Sequence, residues 1–201
     1  FVIVYHAIAG NGRRGVLDII DPREDKIRNR LYFLSGDSSF VTYGPPELSI
    51  GQLLIKEGLA SKEQVQDVIK EQKENKRRFG EILVSRGIVT KARLHEIVVF
   101  QTELKTIHCF GYTGEIFKFT EQKVSEFKHN VPLYKINPVR ILYMGVSKHY
   151  TIDRLEREFE HLKGANLGLA EDYVEKIAAF PFPPEEEDFI KSIGKGRPFG
   201  Q

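Results

Sequence analysis

Few residues in this chain have the types and spacing that chemistry demands. Gly10, Gly12 and Gly15 match Gly-x-Gly-x-x-Gly as a string. In dinucleotide-binding folds that pattern turns a strand into a helix whose N-terminus receives the pyrophosphate. Here Val16-Leu17-Asp18-Ile19-Ile20 follows, an apolar run of strand character, so the pattern reads as a glycine-rich turn before a strand. The six histidines, His6, His95, His108, His129, His149 and His161, are scattered without metal-ligand spacing. His108-Cys109 offers half of a tetrahedral ligand set, with no second pair to complete it. The sequence has no phosphate-loop Gly-Lys-Ser/Thr, no Gly-x-Ser-x-Gly elbow and no His-Glu-x-x-His. Glu185-Glu186-Glu187-Asp188 reads as a helix N-terminus whose carboxylates complement the helix dipole. Lys73, Lys76, Arg77 and Arg78 form the densest basic run. With Glu74 interspersed it reads as a solvated helix end, an anion site being the alternative. No catalytic residue and no metal site is assigned, and the chain is expected not to be an enzyme.

Composition sets the frame for these residues. Thirty Lys and Arg oppose 28 Asp and Glu, a net charge of +2 spread over 201 residues. A duplex-DNA binder would present a strongly basic face, so no nucleic-acid partner is expected. Hydrophobic residues at 41% and charged residues at 29% suit a folded protein with a core. The single cysteine, Cys109, rules out an internal disulfide framework and points to a reducing compartment, so a cytoplasmic location is expected. No apolar stretch approaches the roughly 20 residues that span a bilayer, so no membrane insertion is expected. The sequence begins at Phe1 and reads as part of a longer chain, with a leader upstream left open.

Residues 1–46 read as the strand-rich first half of a small domain, starting from Phe1-Val2-Ile3-Val4-Tyr5. Leu31-Tyr32-Phe33-Leu34 and Ser39-Phe40-Val41-Thr42-Tyr43 flank Ser35-Gly36-Asp37-Ser38, which predicts a hairpin. Gly44-Pro45-Pro46 then marks a change of texture. Residues 47–104 are helical and repeat themselves: Gly51 and Gly80, Gly58 and Gly87, and Gln72 and Gln101 all stand 29 residues apart. Each unit is predicted to be a short helix, a glycine stop and a longer helix. Gly58 and Gly87 suit the left-handed position just past a helix end. Ser61 and Gln64 make a capping box, and Thr90 is the equivalent cap with Arg93 in place of the glutamine. Val65, Val68, Ile69 and Leu94, Ile97, Val98 define one apolar face per long helix, so the two units are expected to pack as four helices. Residues 105–163 read as the second half of the strand-rich domain. Ile116-Phe117-Lys118-Phe119 alternates as a strand, Asn137-Pro138 opens a helix with a face of Val139, Leu142, Tyr143, Val146 and Tyr150, and Ile152, Leu155, Phe159 and Leu162 carry helical spacing on to Gly164. Residues 164–201 read as a helical C-terminal segment, with helices around Glu171 to Ala179 and from Glu185, separated by a proline-rich break. The fold class is α+β: a strand-rich domain split by a four-helix tandem repeat.

The unit Arg78-Phe79-Gly80-x-x-Leu83-x-x-x-Gly87-Ile88, with Leu94 and Gln101, resembles the repeat in the N-terminal domain of type II secretion and type IV pilus ATPases of the MshE type, over residues 48–103. The flanks are similar to a bacterial PatA-like domain of unknown function. The segments that carry this are Gly12-Arg13-Arg14-Gly15-Val16-Leu17-Asp18-Ile19, Leu31-Tyr32-Phe33-Leu34-Ser35-Gly36-Asp37 and Gly111-Tyr112-Thr113-Gly114-Glu115-Ile116-Phe117-Lys118-Phe119. Such domains stand beside response-regulator receivers and in gliding or developmental regulators.

The first resemblance implies a cyclic di-GMP site. Arg78, Phe79, Gly80 and Leu83 match its second motif and Ile50, Gly51 and Leu54 its first, with Ser49 where the basic residue belongs and Phe79 where leucine is usual. A guanidinium suits the family's task because it both hydrogen-bonds and stacks on a base. The favoured expectation is a non-catalytic bacterial signalling module acting through protein–protein contact. Its partner is expected to be a regulatory protein such as a receiver or a motility component, and a homodimer is compatible with it. The alternative is a cyclic di-GMP receptor through the tandem repeat, the one small molecule the resemblance suggests.

Overall fold

Alternation of apolar and polar residues produces four strands, and the chain order decides how they meet. In the computed structural model, which describes residues 1–122, 134–168, 182–193 and 197–198, strands β1 (Gly15–Asp21), β2 (Lys26–Leu34), β3 (Asp37–Tyr43) and β4 (Ile116–Glu121) form an antiparallel sheet in the order β3-β2-β1-β4. β2 and β3 are joined by Ser35-Gly36, both at positive φ (54° and 87°), the backbone that a two-residue hairpin needs to match strand twist. Gly15 opens β1 as a strand. A Cβ there would come within 2.3 Å of the Thr120 carbonyl oxygen, so the glycine serves the close pairing of β1 with β4. The Gly10–Gly15 pattern is therefore a turn into a strand.

One sheet face carries Leu17, Ile19, Leu31, Phe33 and Val41 into a core shared with Phe110, Ile136 and Ile141. Burying each such side chain contributes about 1.5–3 kcal/mol. The same core holds the first departure from expectation. Residues Val2–Ala9 form helix α1, not a strand, and lay Val2, Tyr5 and Ile8 on the sheet. β-branched residues lower helix propensity only slightly, and packing on a sheet face outweighs it. Tyr5 is fully buried there, its hydroxyl paired with Ser38 Oγ at 3.0 Å.

Between β3 and β4 the tandem repeat forms α2 (Ile50–Lys56), α3 (Lys62–Asn75), α4 (Phe79–Ser85) and α5 (Lys91–His108). Leu59 and Ile88 N–H groups donate back to the Leu54 and Leu83 carbonyls, and Gly58 and Gly87 sit at φ 68° and 67°. Both short helices thus end in the same left-handed cap. Ser61 and Gln64 complete the capping box, while Thr90 accepts from the Arg93 N–H alone. Each short helix leans mainly on the long helix of the other unit, α2 on α5 and α4 on α3. Leu53, Leu54, Val65, Val68, Ile82, Leu83 and Ile97 form one shared core, so the strand-rich domain is indeed split by a four-helix repeat.

Further expectations are corrected. The boundary drawn at residue 104 falls inside α5, which runs unbroken to His108 and ends in the sheet core through Ile107, Cys109 and Phe110. Ile69 leaves the apolar face and is 39% exposed, whereas Val98, its equivalent, is buried. The chain from Asn137 is broken into two helices, α6 (Pro138–His149) and α7 (Ile152–Glu158), because Tyr150 is extended and Thr151 caps a new start by accepting from the Arg154 N–H. Ile152 consequently points outward, 74% exposed. The buried stripe of α6 is centred on Ile141 and Gly145, while Tyr143 instead donates to Glu186 at 2.9 Å. Glu185, Glu186 and Glu187 do occupy the first turn of a helix, α8 (Pro184–Ile193). Short strands β5 (Asn166–Leu167) and β6 (Arg197–Pro198) pair with each other. The helix expected around Glu171 to Ala179 lies outside the described residues.

Candidate functional site

The seven residues matched to a dinucleotide site fall into two groups. Leu54 and Leu83 are fully buried in the repeat core, and Ile50 and Phe79 are half-buried against it. Gly51 and Gly80 serve packing. A Cβ on Gly51 would meet Val65 Cγ1 at 2.7 Å, and one on Gly80 would meet Leu94 Cδ2 at 2.8 Å, the same contact 29 residues on. Phe79 Cζ lies 3.6 Å from that same point on Gly51. The structure therefore brings Ile50, Gly51, Phe79 and Leu54 together, but as the inside of a helix bundle. Arg78 stands apart at the start of α4 with its side chain 62% exposed and Glu81 at 4.0 Å. Ser49, where a basic residue would stand, caps α2 by accepting from the Gln52 N–H. Of the basic run, Arg77 turns back to Glu71 (3.3 Å) and Ser85 (3.2 Å), and Arg86 joins Glu71 from the other side.

A second polar group was not foreseen. The register shift between Ile19 and Ile20 leaves Arg28 as the extra residue of β2. Its guanidinium reaches Asp21, and Glu115 at 3.9 Å. The Arg23 main-chain N–H and the Arg28 guanidinium hold the Asp21 carboxyl below its ordinary range. Beside them Tyr112 donates to Asn29 Oδ1 at 2.6 Å. Asp21, Arg23, Arg28, Tyr112 and Glu115 line a cleft of about 500 Å³. Both carboxylates face Arg28, so the cluster clamps the 111–115 loop onto β2. Asparagine at a core-facing strand position was its one signal in the sequence. A second groove, of about 520 Å³, lies on α5 between Phe100 and Tyr134.

Cys109 is fully buried, its thiol donating to the Lys105 carbonyl, and burial pushes its pKa up, so it is no nucleophile at neutral pH. Among the described residues, no group of three or more His, Cys, Asp or Glu side chains is placed to hold a metal ion. Likewise, no helix is long and apolar enough to cross a membrane.

His108 and His149 meet edge to face, 6.3 Å between ring centroids, with Tyr112 against His108. Burial holds both imidazoles below the ordinary value of 6.5; Lys148 adds to this at each, Arg154 at His149, and Glu47 opposes it at His108. The folded chain therefore binds these protons less readily than the unfolded chain, and stability falls as pH drops through about 6.5 toward the lower folded values. The urea midpoint is expected to be lower at pH 5.5 than at pH 7.5. In His149→Gln that slope flattens; an unchanged slope would remove the pair as its source. Asp21 does not confuse the window, since its own contribution disappears only near the carboxylate range.

Comparison with known proteins finds no matching family model, no matching curated protein and no matching solved structure.

Proposed function

We propose that the chain is a non-catalytic bacterial signalling module, PatA-like with an MshE-type repeat, that acts by contact with a regulatory protein in the cytoplasm, a response-regulator receiver or a motility component being the fitting partner class. One observation carries this reading. The repeat residues that a base-binding site would need are spent on holding the helices together: Leu54 and Leu83 are fully buried, and Gly51 and Gly80 are filled by Val65 and Leu94. What the repeat leaves outward is a set of helix faces suited to a macromolecular partner. Exposed Arg78 beside half-buried Phe79 is the one feature that favours the second reading, a cyclic di-GMP receptor.

Calorimetric titration of the chain with cyclic di-GMP, alongside Arg78→Ala, separates the two. A flat titration of folded protein is expected. Saturable heat at micromolar ligand that vanishes in Arg78→Ala would replace the interaction module by the receptor.

A further inference from the structure

The rest of the chain treats the two repeat units differently. On α5, Val98, Gln101, Thr102 and Thr106 are buried where the helix lies along β3 and the segment leaving it. Gln101 Nε2 donates to the Leu48 carbonyl at 2.6 Å, and the Lys105 stem lies within 3.6 Å of where a Cβ on Gly44 would stand. The occupant of this face is thus the end of an edge strand and the short 3-10 turn Pro46–Leu48 that follows it, held by an amide that reads a main-chain carbonyl. Shifting by 29 residues places Ile69, Gln72 and Lys73 on the same face of α3, with Lys76 as the residue that ends it. There the same aliphatic and amide pair is exposed.

The differences between the units define what would fit. Thr102 on α5 is replaced by Lys73 on α3. Lys105, whose stem is packed down, is replaced by Lys76, which ends α3 in a left-handed conformation (φ 53°) with its side chain exposed. Arg78 extends the same positive end and is largely solvated. Arg77 is withdrawn by Glu71. The amide that captures a carbonyl is kept, the aliphatic anchor is kept, one positive charge is added as Lys73 for Thr102, and the Lys76 side chain is exposed where that of Lys105 is packed down.

We infer that the α3 face of Ile69, Gln72 and Lys73, with Lys76 at its end, docks an acidic segment of a partner protein. Ile69 supplies the apolar contact, Gln72 donates to a main-chain carbonyl, and the two lysines pair with carboxylates on either side. This rests on the interaction reading above and names the surface and the partner chemistry.

The test is an amide-shift NMR titration of the whole chain with an octapeptide of alternating Glu and Val, with the Lys–Val and Gln–Val octapeptides and cyclic di-GMP in parallel. Saturable shifts confined to the end of α3 are expected with the Glu–Val peptide alone. Lys73→Glu with Lys76→Glu is expected to weaken binding about tenfold or more, since two exposed pairs become repulsions, and Ile69→Ala to weaken it severalfold with the thermal midpoint unchanged. No shift at millimolar Glu–Val peptide, shifts spread over all basic surfaces, or equal response to the Lys–Val peptide would each overturn the inference. With a flat cyclic di-GMP titration those results remove this surface alone. Saturation by cyclic di-GMP at α3 and Arg78 would remove the interaction reading as well.

Discussion

Replacing Leu83 with alanine is expected to destabilise the chain by about 2–5 kcal/mol, and Leu54→Ala by a similar amount. Both side chains are fully buried in the core that the two repeat units share, and both stand at the C-terminal turn of a short helix. Their carbonyls accept the N–H that closes each left-handed cap, from Leu59 and from Ile88, and those two residues pack back on the same core. Truncation leaves the backbone cap in place and opens a cavity, so the loss is one of packing. In urea the midpoint is expected to fall by roughly 1–2 M with the slope unchanged. Tyrosine fluorescence from the sheet and helical circular dichroism should fall together, because α5 belongs to both cores. Arg78→Ala, by contrast, is expected to stay within about 0.5 kcal/mol. A Leu83→Ala variant that keeps its stability would mean that the bundle is not closed as described, and would return Leu83 to the list of ligand contacts.

The features readable from sequence were those imposed by the backbone over a few residues. Gly58 and Gly87 need a left-handed conformation, Ser61, Thr90 and Asn137 offer a side-chain oxygen where helix N–H groups lack partners, and Ser35-Gly36 fits a tight hairpin. These demands are local, so residue type reveals them. The 29-residue offset carried them from one unit to the next, and the two glycine contacts with Val65 and Leu94 obey it to within 0.1 Å.

What escaped depended on distant chain. Val2–Ala9 is helical because a sheet face waits for Tyr5 and Ile8, and nothing in eight residues says so. Ile69 and Val98 are equivalent in sequence and opposite in burial, because β3 and its exit cover one of them. The Asn29–Tyr112 pair joins residues 83 apart, and the bulge that frees Arg28 exists only in the pairing of β1 with β2. The residues matched to a ligand site carry a related ambiguity. The residues that would let a base approach are the same types that let two helices approach, and burial alone tells them apart.

Gly145→Ala shows how far such context can reverse a local rule. In the interior of a helix, alanine is favoured over glycine by about 1 kcal/mol, and α6 is a regular helix at this point. A Cβ on Gly145 would nevertheless stand 2.4 Å from Phe110 Cδ2, 2.5 Å from Cγ and 2.7 Å from Cδ1. These are atoms at the base of the ring, so a rotation of the ring tip cannot relieve them. Phe110 is itself fully buried, with Phe1 packed edge-on at 4.8 Å and Tyr5 at 5.9 Å. Either α6 lifts from the sheet core or Phe110 is driven into its neighbours, at about 1–3 kcal/mol. The overpacking outweighs the propensity gain, so net destabilisation is expected for Gly145→Ala and a larger one for Gly145→Val, read as lower thermal and urea midpoints. Phe110→Leu should lower stability by itself and yet soften the effect of Gly145→Ala, because a smaller side chain leaves room for the added methyl. The two changes must then be non-additive, with a coupling of about 0.5–3 kcal/mol for residues in contact. Strict additivity, or a Gly145→Ala protein more stable than the parent, would show that α6 does not meet Phe110 at Gly145.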